Sequence, residues 1–148
     1  MSERIFVDTN VLLYEWDGSD PNKQRRAIKW MTRLWAEHTG RLSFQVLTEF
    51  YRGATQKLRP ALSAPKARDH VRTLFAWGPV SIDEGIMETA WQVQERYKVS
   101  WWDALIVAAA QRAGCRTLLS EDFQAGQRFG DLTVVNPFAT PPSGAPPR

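Results

Sequence analysis

The sequence predicts an α/β fold, a three-layer α/β/α sandwich with a mostly parallel central sheet. Three observations carry that expectation. Strand-length apolar stretches alternate with helical periodicities through most of the chain, the pattern of a parallel sheet covered on both faces. The run Ala104 to Ala110 is apolar on every side, as in a helix that is buried all round. At 148 residues, with 43% apolar and 24% charged side chains, the chain suits one packed domain, and its seven tryptophans add large, rigid apolar area.

Arg4-Ile5-Phe6-Val7 reads as a short buried strand, and Asn10 to Tyr14 as a helix opening. Residues 22–38 place Ala27, Trp30, Met31, Leu34 and Trp35 at helical spacing, with Gly40 closing that helix. Arg41 to Phe44 is a candidate strand, followed by a helix from Gln45 to Lys57 with Val46, Leu47, Phe50, Tyr51 and Ala54 on one side. Pro60 and Pro65 bracket a loop. A helix over 66–77 leads through Gly78-Pro79 to a brief strand at 80–82, and Asp83 caps a helix reaching Lys98. The helix over 101–113 ends at Gly114, Arg116 to Leu119 forms a strand, and Thr133 to Val135 is the last. The domain is expected over residues 1–138. From Pro137 onward the chain holds five of the nine prolines and no apolar periodicity, so 139–148 is expected to be an extended or disordered tail.

The start, Met-Ser-Glu-Arg, lacks the basic region and apolar stretch of a secretory signal, and no run approaches the roughly 20 apolar residues that span a bilayer. A cytoplasmic location is expected. The single cysteine, Cys115, makes no internal disulfide or multi-cysteine zinc site and reads as a small core residue. The formal charge of +3 is unevenly placed. Six basic residues between Arg52 and Arg72 face one acid, Asp69, and five more lie unopposed between Lys23 and Arg33. These stretches are either polyanion-binding surfaces or solvated helix faces.

Four acids sit at element ends or flanks. In open parallel sheets, ligands bind outside the carboxyl ends of the strands. Asp8 lies just past the first strand and Asp122 just past Leu118-Leu119-Ser120, so the two share an edge if those strands are neighbours. Each also has a local explanation: Asp8 as a helix N-cap, Asp122 as the cap of a turn at Phe123. Asp103 shares a helical stripe with Ile106, Val107 and Ala110, where an isolated charge is costly. Its local explanation is a capping box, Ser100-Trp101-Trp102-Asp103, and a first-turn acid also gains from the helix dipole. Glu49 borders the apolar stripe of its own helix, with a solvated pairing to Arg52 as its local explanation.

Together the four carboxylates would repel and raise one another's pKa values unless a divalent cation neutralised them. Only oxygen ligands are on offer, since His38 and His70 lie on helices away from these motifs; such a set suits Mg²⁺ or Mn²⁺ rather than Zn²⁺. A water whose pKa is lowered by such an ion attacks a phosphodiester in line. With the four acids set aside, 19 basic residues face 12 acidic ones, which favours a polyanionic substrate, and Arg52 is a candidate to steer a phosphate towards Glu49. Glu121, next to Asp122, leaves the fourth acid ambiguous on position alone.

The stretches IFVDTNVLLY, FQVLTEFYRGATQK, SWWDALIVAAA and LLSEDFQAG, followed by VVNPF, occur in the order and spacing of PIN-domain proteins. Over residues 4–138 the chain resembles a VapC-type ribonuclease toxin of a toxin–antitoxin pair. The resemblance implies Mg²⁺-dependent cleavage of RNA, with Asp8, Glu49, Asp103 and Asp122 as the acidic quartet, Asp122 rather than Glu121 as its fourth member, and Asn10, Ser100 and Ser120 as polar neighbours. It also implies a homodimer and a cognate VapB-like antitoxin whose tail would occlude the cleft. Trp101, Trp102, the Trp91 region and the apolar residues of the first helices are either interface or core. Lys57, Arg59 and Arg68 are, with Arg52, candidate RNA contacts.

Two other readings remain. DTN after a strand is similar to haloacid-dehalogenase-like phosphatases, but those need a second Asp where this chain has Asn10, which cannot act as general acid. A non-catalytic RNA-binding or interaction module on a PIN-like fold would have no reason to cluster acids that repel phosphate.

Overall fold

The computed structural model describes residues 3–142. Met1 and Ser2, and residues 143–148 of the expected tail, lie outside the described residues. The elements run β1 (Ile5–Val7), α1 (Thr9–Glu15), α2 (Pro21–Glu37), β2 (Gly40–Arg41), α3 (Phe44–Gln56), α4 (Ala64–Leu74), α5 (Glu84–Tyr97), α6 (Trp101–Arg112), β3 (Thr117–Leu119), β4 (Arg128–Phe129) and β5 (Leu132–Val135). The sheet order is β2-β1-β3-β5-β4. Its first four strands are parallel and β4 is an antiparallel edge on β5. Phe6 and Val7 are both fully buried, as are Leu118 and Leu119. Successive strand residues point to opposite faces, so the central strands are covered on both sides. Helix α1 packs on both α2 and α3, α3 on α4, and α5 on α6, in keeping with the expected α/β/α arrangement.

The sheet places two chain segments side by side. Val7 on β1 stands opposite Leu119 on β3, and the Asp8 amide donates to the Leu119 carbonyl at 3.0 Å. Asp8 and Ser120 to Asp122 therefore leave the same carboxyl edge of neighbouring parallel strands.

Several local expectations are corrected. The strand expected over 41–44 is only Gly40–Arg41, because Ser43 takes the N-cap of α3 and its hydroxyl accepts from the Val46 amide. Gly40 does not close α2; His38 does, in the left-handed conformation with φ 58°. Gly40 belongs to β2, where a Cβ would run into the Trp77 ring. The strand expected at 80–82 is a single parallel bridge between Ser43 and Val80. Pro65 lies inside α4 near its N-terminus, after the Ser63 cap, and residues 75–77 continue as a 3₁₀ turn. Strand β4, two residues long, was not foreseen. The chain after β5 turns back at 137–140, where the Trp30 indole donates to the carbonyls of Pro137 and Thr140 and Phe138 meets Tyr14 edge-on. Among the described residues no helix is long and apolar enough to cross a membrane.

Candidate active site

Asp8 adopts the extended backbone of an N-cap, and its Oδ1 accepts from the Thr9 amide at 2.7 Å. An ordinary cap accepts from the second or third amide of the helix, so this contact leaves much of the carboxylate for other partners. Oδ2 accepts from the Ser120 hydroxyl at 2.7 Å and from the Asn10 amide at 3.4 Å. Burial pushes the Asp8 carboxyl up to about 7, against the lowering effect of the Ser120 and Thr9 hydrogen bonds, and the charges of Asp122 and Glu49 push further upward.

Asn10 ties this acid to the next. Its Nδ2 also donates to Ser120 Oγ at 3.2 Å and to Asp122 Oδ2 at 3.1 Å, while its Oδ1 accepts from the Glu121 amide at 3.3 Å. Ser120, fully buried, accepts from the Asp122 amide at 3.0 Å. The two adjacent acids point to different partners. Glu121 pairs with Lys23 at 2.7 Å, whereas Asp122 meets Asn10.

Asp103 lies in the first turn of α6, half-buried, with Ser100 as N-cap accepting from its amide at 3.1 Å. Burial raises its pKa, the Ser100 side chain lowers it, and the Asp122 and Glu49 charges raise it. Glu49, on exposed α3 surface, accepts from Thr9 Oγ1 at 2.7 Å and from Gln45 Nε2 at 3.3 Å; these bonds take the place of the expected pairing with Arg52. Gln45 also donates to the Trp102 carbonyl at 3.3 Å, joining α3 to the start of α6. Thr9 and Gln45 were missed in the sequence. Their signals were position: Thr9 inside DTN, and Gln45 one helical turn before Glu49.

All four acids thus act on one electrostatic region, although among the described residues no three acidic, histidine or cysteine side chains stand where one ion would bind them together. The donor set is nevertheless suited to a hard divalent cation. It is all oxygen, and the charges that raise Asp8 and Asp103 are those a cation would offset. The exposed Glu49 and Asp122 side chains are the ones with room to move onto an ion.

The basic candidates lie further out. Arg52 is on the rim of a cleft shared with Glu49, Arg68 lines a groove between α3 and α4, and Lys57 and Arg59 are exposed at the end of α3. His38 and His70 take no part: His70 packs on Trp16 and Phe50, 3.6 Å from Glu15. Cys115 is buried, as its reading as a core residue required. Trp91 and Trp102 are exposed rather than core, and Trp91 stacks on Trp101.

No curated protein matches the chain by sequence. Among solved structures it is similar to one described as FitAB bound to an IR36 DNA fragment, with a TM-score of 0.68 and 21% identity over 90% of this chain and 95% of that one. It is similar to a toxin–antitoxin complex from Klebsiella pneumoniae, with a TM-score of 0.58 and 23% identity over 90% and 97% of the two chains. It is also similar to VapC20 of Mycobacterium tuberculosis, described as a Sarcin-Ricin loop cleaving toxin, with a TM-score of 0.56 and 20% identity over 77% and 86%. At these identities the likeness is one of fold. The model of the PIN domain matches residues 5–127, most of the chain and all four acids, and the protein therefore belongs to the PIN domain family.

Proposed function

We propose that the protein is a metal-dependent endoribonuclease acting as the toxin of a VapBC-type pair in the cytoplasm. The observation that carries this reading is the joining of Asp8 and Asp122 through Asn10 and Ser120 at the carboxyl edge of β1 and β3, with Glu49 and Asp103 in the same field. Dependence on a divalent metal is general among PIN domains, and the fold likeness to a toxin–antitoxin complex and to VapC20 supports the toxin assignment.

In this reading Asp8, Glu49, Asp103 and Asp122 would hold Mg²⁺, or Mn²⁺ in its place, and such an ion would supply an activated water and charge stabilisation at the phosphate. Asn10 and Ser120 donate to the Asp8 carboxylate, Asn10 also reaches the Asp122 carboxylate, and Ser100 caps the helix start that carries Asp103. Arg52, Lys57, Arg59 and Arg68 meet the RNA backbone, and the +3 net charge favours that encounter. A VapB-like antitoxin covers the cleft, and the active protein is a homodimer.

The test is cleavage of a total-RNA pool with Mg²⁺, Mn²⁺ or EDTA, beside Asp103→Asn purified identically. Discrete products that need metal and vanish in the variant are expected. Products that survive the substitution would come from a contaminant, and folded protein that binds RNA without cutting it would replace this reading with a binding module.

A further inference from the structure

We propose that the cleft between Phe44, Ile82 and Trp102 is a stacking subsite that seats one base of the RNA beside the acidic site; this rests on the nuclease reading above. Trp102 is 61% exposed, Ile82 48% and Phe44 42%, and the three line one cleft of about 720 Å³ whose other walls include Gln45, Glu49 and Arg52. Large apolar side chains left open to water beside a charged centre call for a partner that is flat, apolar on its faces and charged along its edge. A nucleotide has that character, with its base on the rings and its phosphate towards Arg52. A base inside a duplex has both faces occupied, so the platform favours unpaired strands.

The cleft is built into the acidic site. Trp102 directly precedes Asp103, and the Gln45 amide donates both to the Trp102 carbonyl and to Glu49, each at 3.3 Å. Glu49 in turn accepts from Thr9, next to Asp8, at 2.7 Å. Phe44 leans on Phe75, with ring centroids 6.1 Å apart and the rings tilted to one another. A base seated there would place its own phosphodiester beside Glu49, the one of the four acids that lines the cleft. Trp102 is thus a positioning residue for the substrate, without a part in the chemistry. Arg52 on the rim supplies the positive charge that a nucleotide's phosphate needs and an apolar protein segment does not use.

The experiment uses the full chain with Trp102→Ala and Trp102→Phe. A single-stranded oligoribonucleotide carrying 2-aminopurine, and the same strand annealed to its complement, are titrated into Asp103→Asn protein with Mg²⁺, with and without the Trp102 changes. Single-strand binding should quench the 2-aminopurine emission. Trp102→Ala should remove that quench and weaken single-strand binding by roughly tenfold, while Trp102→Phe retains most of both and duplex binding barely changes. In otherwise wild-type protein, Trp102→Ala should raise KM by a similar factor with kcat within about twofold. Unchanged single-strand affinity in Trp102→Ala overturns the proposal, whatever the cleavage assay gives. If that variant instead disrupts self-association in sedimentation while binding RNA normally, the proposal is overturned in favour of a protein interface. Absence of cleavage by the wild type sinks the nuclease reading and leaves the binding arm to decide on the subsite. Trp102 is exposed, so its loss leaves the core intact, and Ile82→Ala on the opposite wall should reproduce the binding defect in weaker form.

Discussion

The two ends of helix α1 carry two acids that burial pushes up in different surroundings. Asp8 caps the start and Glu15 ends the helix, and burial pushes each up to about 7. Around Asp8 are donors from Thr9, Asn10 and Ser120, which favour the charged form, and acids at Asp122 and Glu49, which oppose it. Around Glu15 only burial acts; its Oε1 and the facing His70 Nε2 are buried without a hydrogen-bond partner, and burial lowers the His70 pKa. A proton on the carboxyl satisfies the Glu15 end. At the Asp8 end the donors already stabilise a carboxylate, and the remaining excess of negative charge is what a cation relieves.

Substitution should break the comparison most visibly in activity. Asp8→Asn and Asp103→Asn should each lower RNA cleavage by about 100-fold or more, whereas Glu15→Gln, at the other end of the same helix, should stay within a few-fold of wild type. Initial rates on a defined RNA check this, with circular dichroism to establish folding.

The next effect is on stability against pH. Both acids have folded pKa values above their unfolded ones, so the folded state binds more protons between about pH 4 and pH 7, and the stability of metal-free protein should fall as pH rises through that window. Full shifts of this size correspond to at most about 4 kcal/mol for Asp8 and about 3 kcal/mol for Glu15, the lowered His70 pKa acting in the opposite sense. Denaturant melts at pH 4.5 and 7.5 should show Asp8→Asn and Glu15→Gln each flattening the dependence. Saturating Mg²⁺ should remove the Asp8 share and leave the Glu15 share, which separates the two ends directly.

The smallest effects belong to the outlying cations. Lys57→Ala, Arg59→Ala and Arg68→Ala should each weaken RNA binding across sequences and reduce the dependence of log affinity on log salt by about one unit or less per contact. Fluorescence anisotropy over a salt series reads this, and an unchanged slope would remove that residue from the RNA surface.

Both the frame and the site were legible to different depths. Helices α2, α3, α5 and α6 follow from apolar spacing, and β1 and β3 from short apolar runs that end in polar residues. Elements of two residues, β2 and β4, have too little sequence to carry a period, and Ser43 looked like strand because its capping role becomes visible only with the helix in place. The four acids were visible as residues at element ends, and the pairing of β1 with β3 that brings Asp8 to Asp122 was conditional until the sheet order was known. The small hydrogen-bonding residues between them were harder to see. Thr9 and Gln45 carry no charge or periodicity of their own, and the turning of Glu121 towards Lys23 depends on α2 packing against that loop.

The most direct measurement is calorimetric titration of Mn²⁺ into metal-free wild type, Asp8→Asn and Glu15→Gln at neutral pH. Saturable binding is predicted for wild type and Glu15→Gln, with loss or at least roughly tenfold weakening in Asp8→Asn. Equal binding by all three, or none by the wild type, would contradict the assignment of the Asp8 end as the metal site.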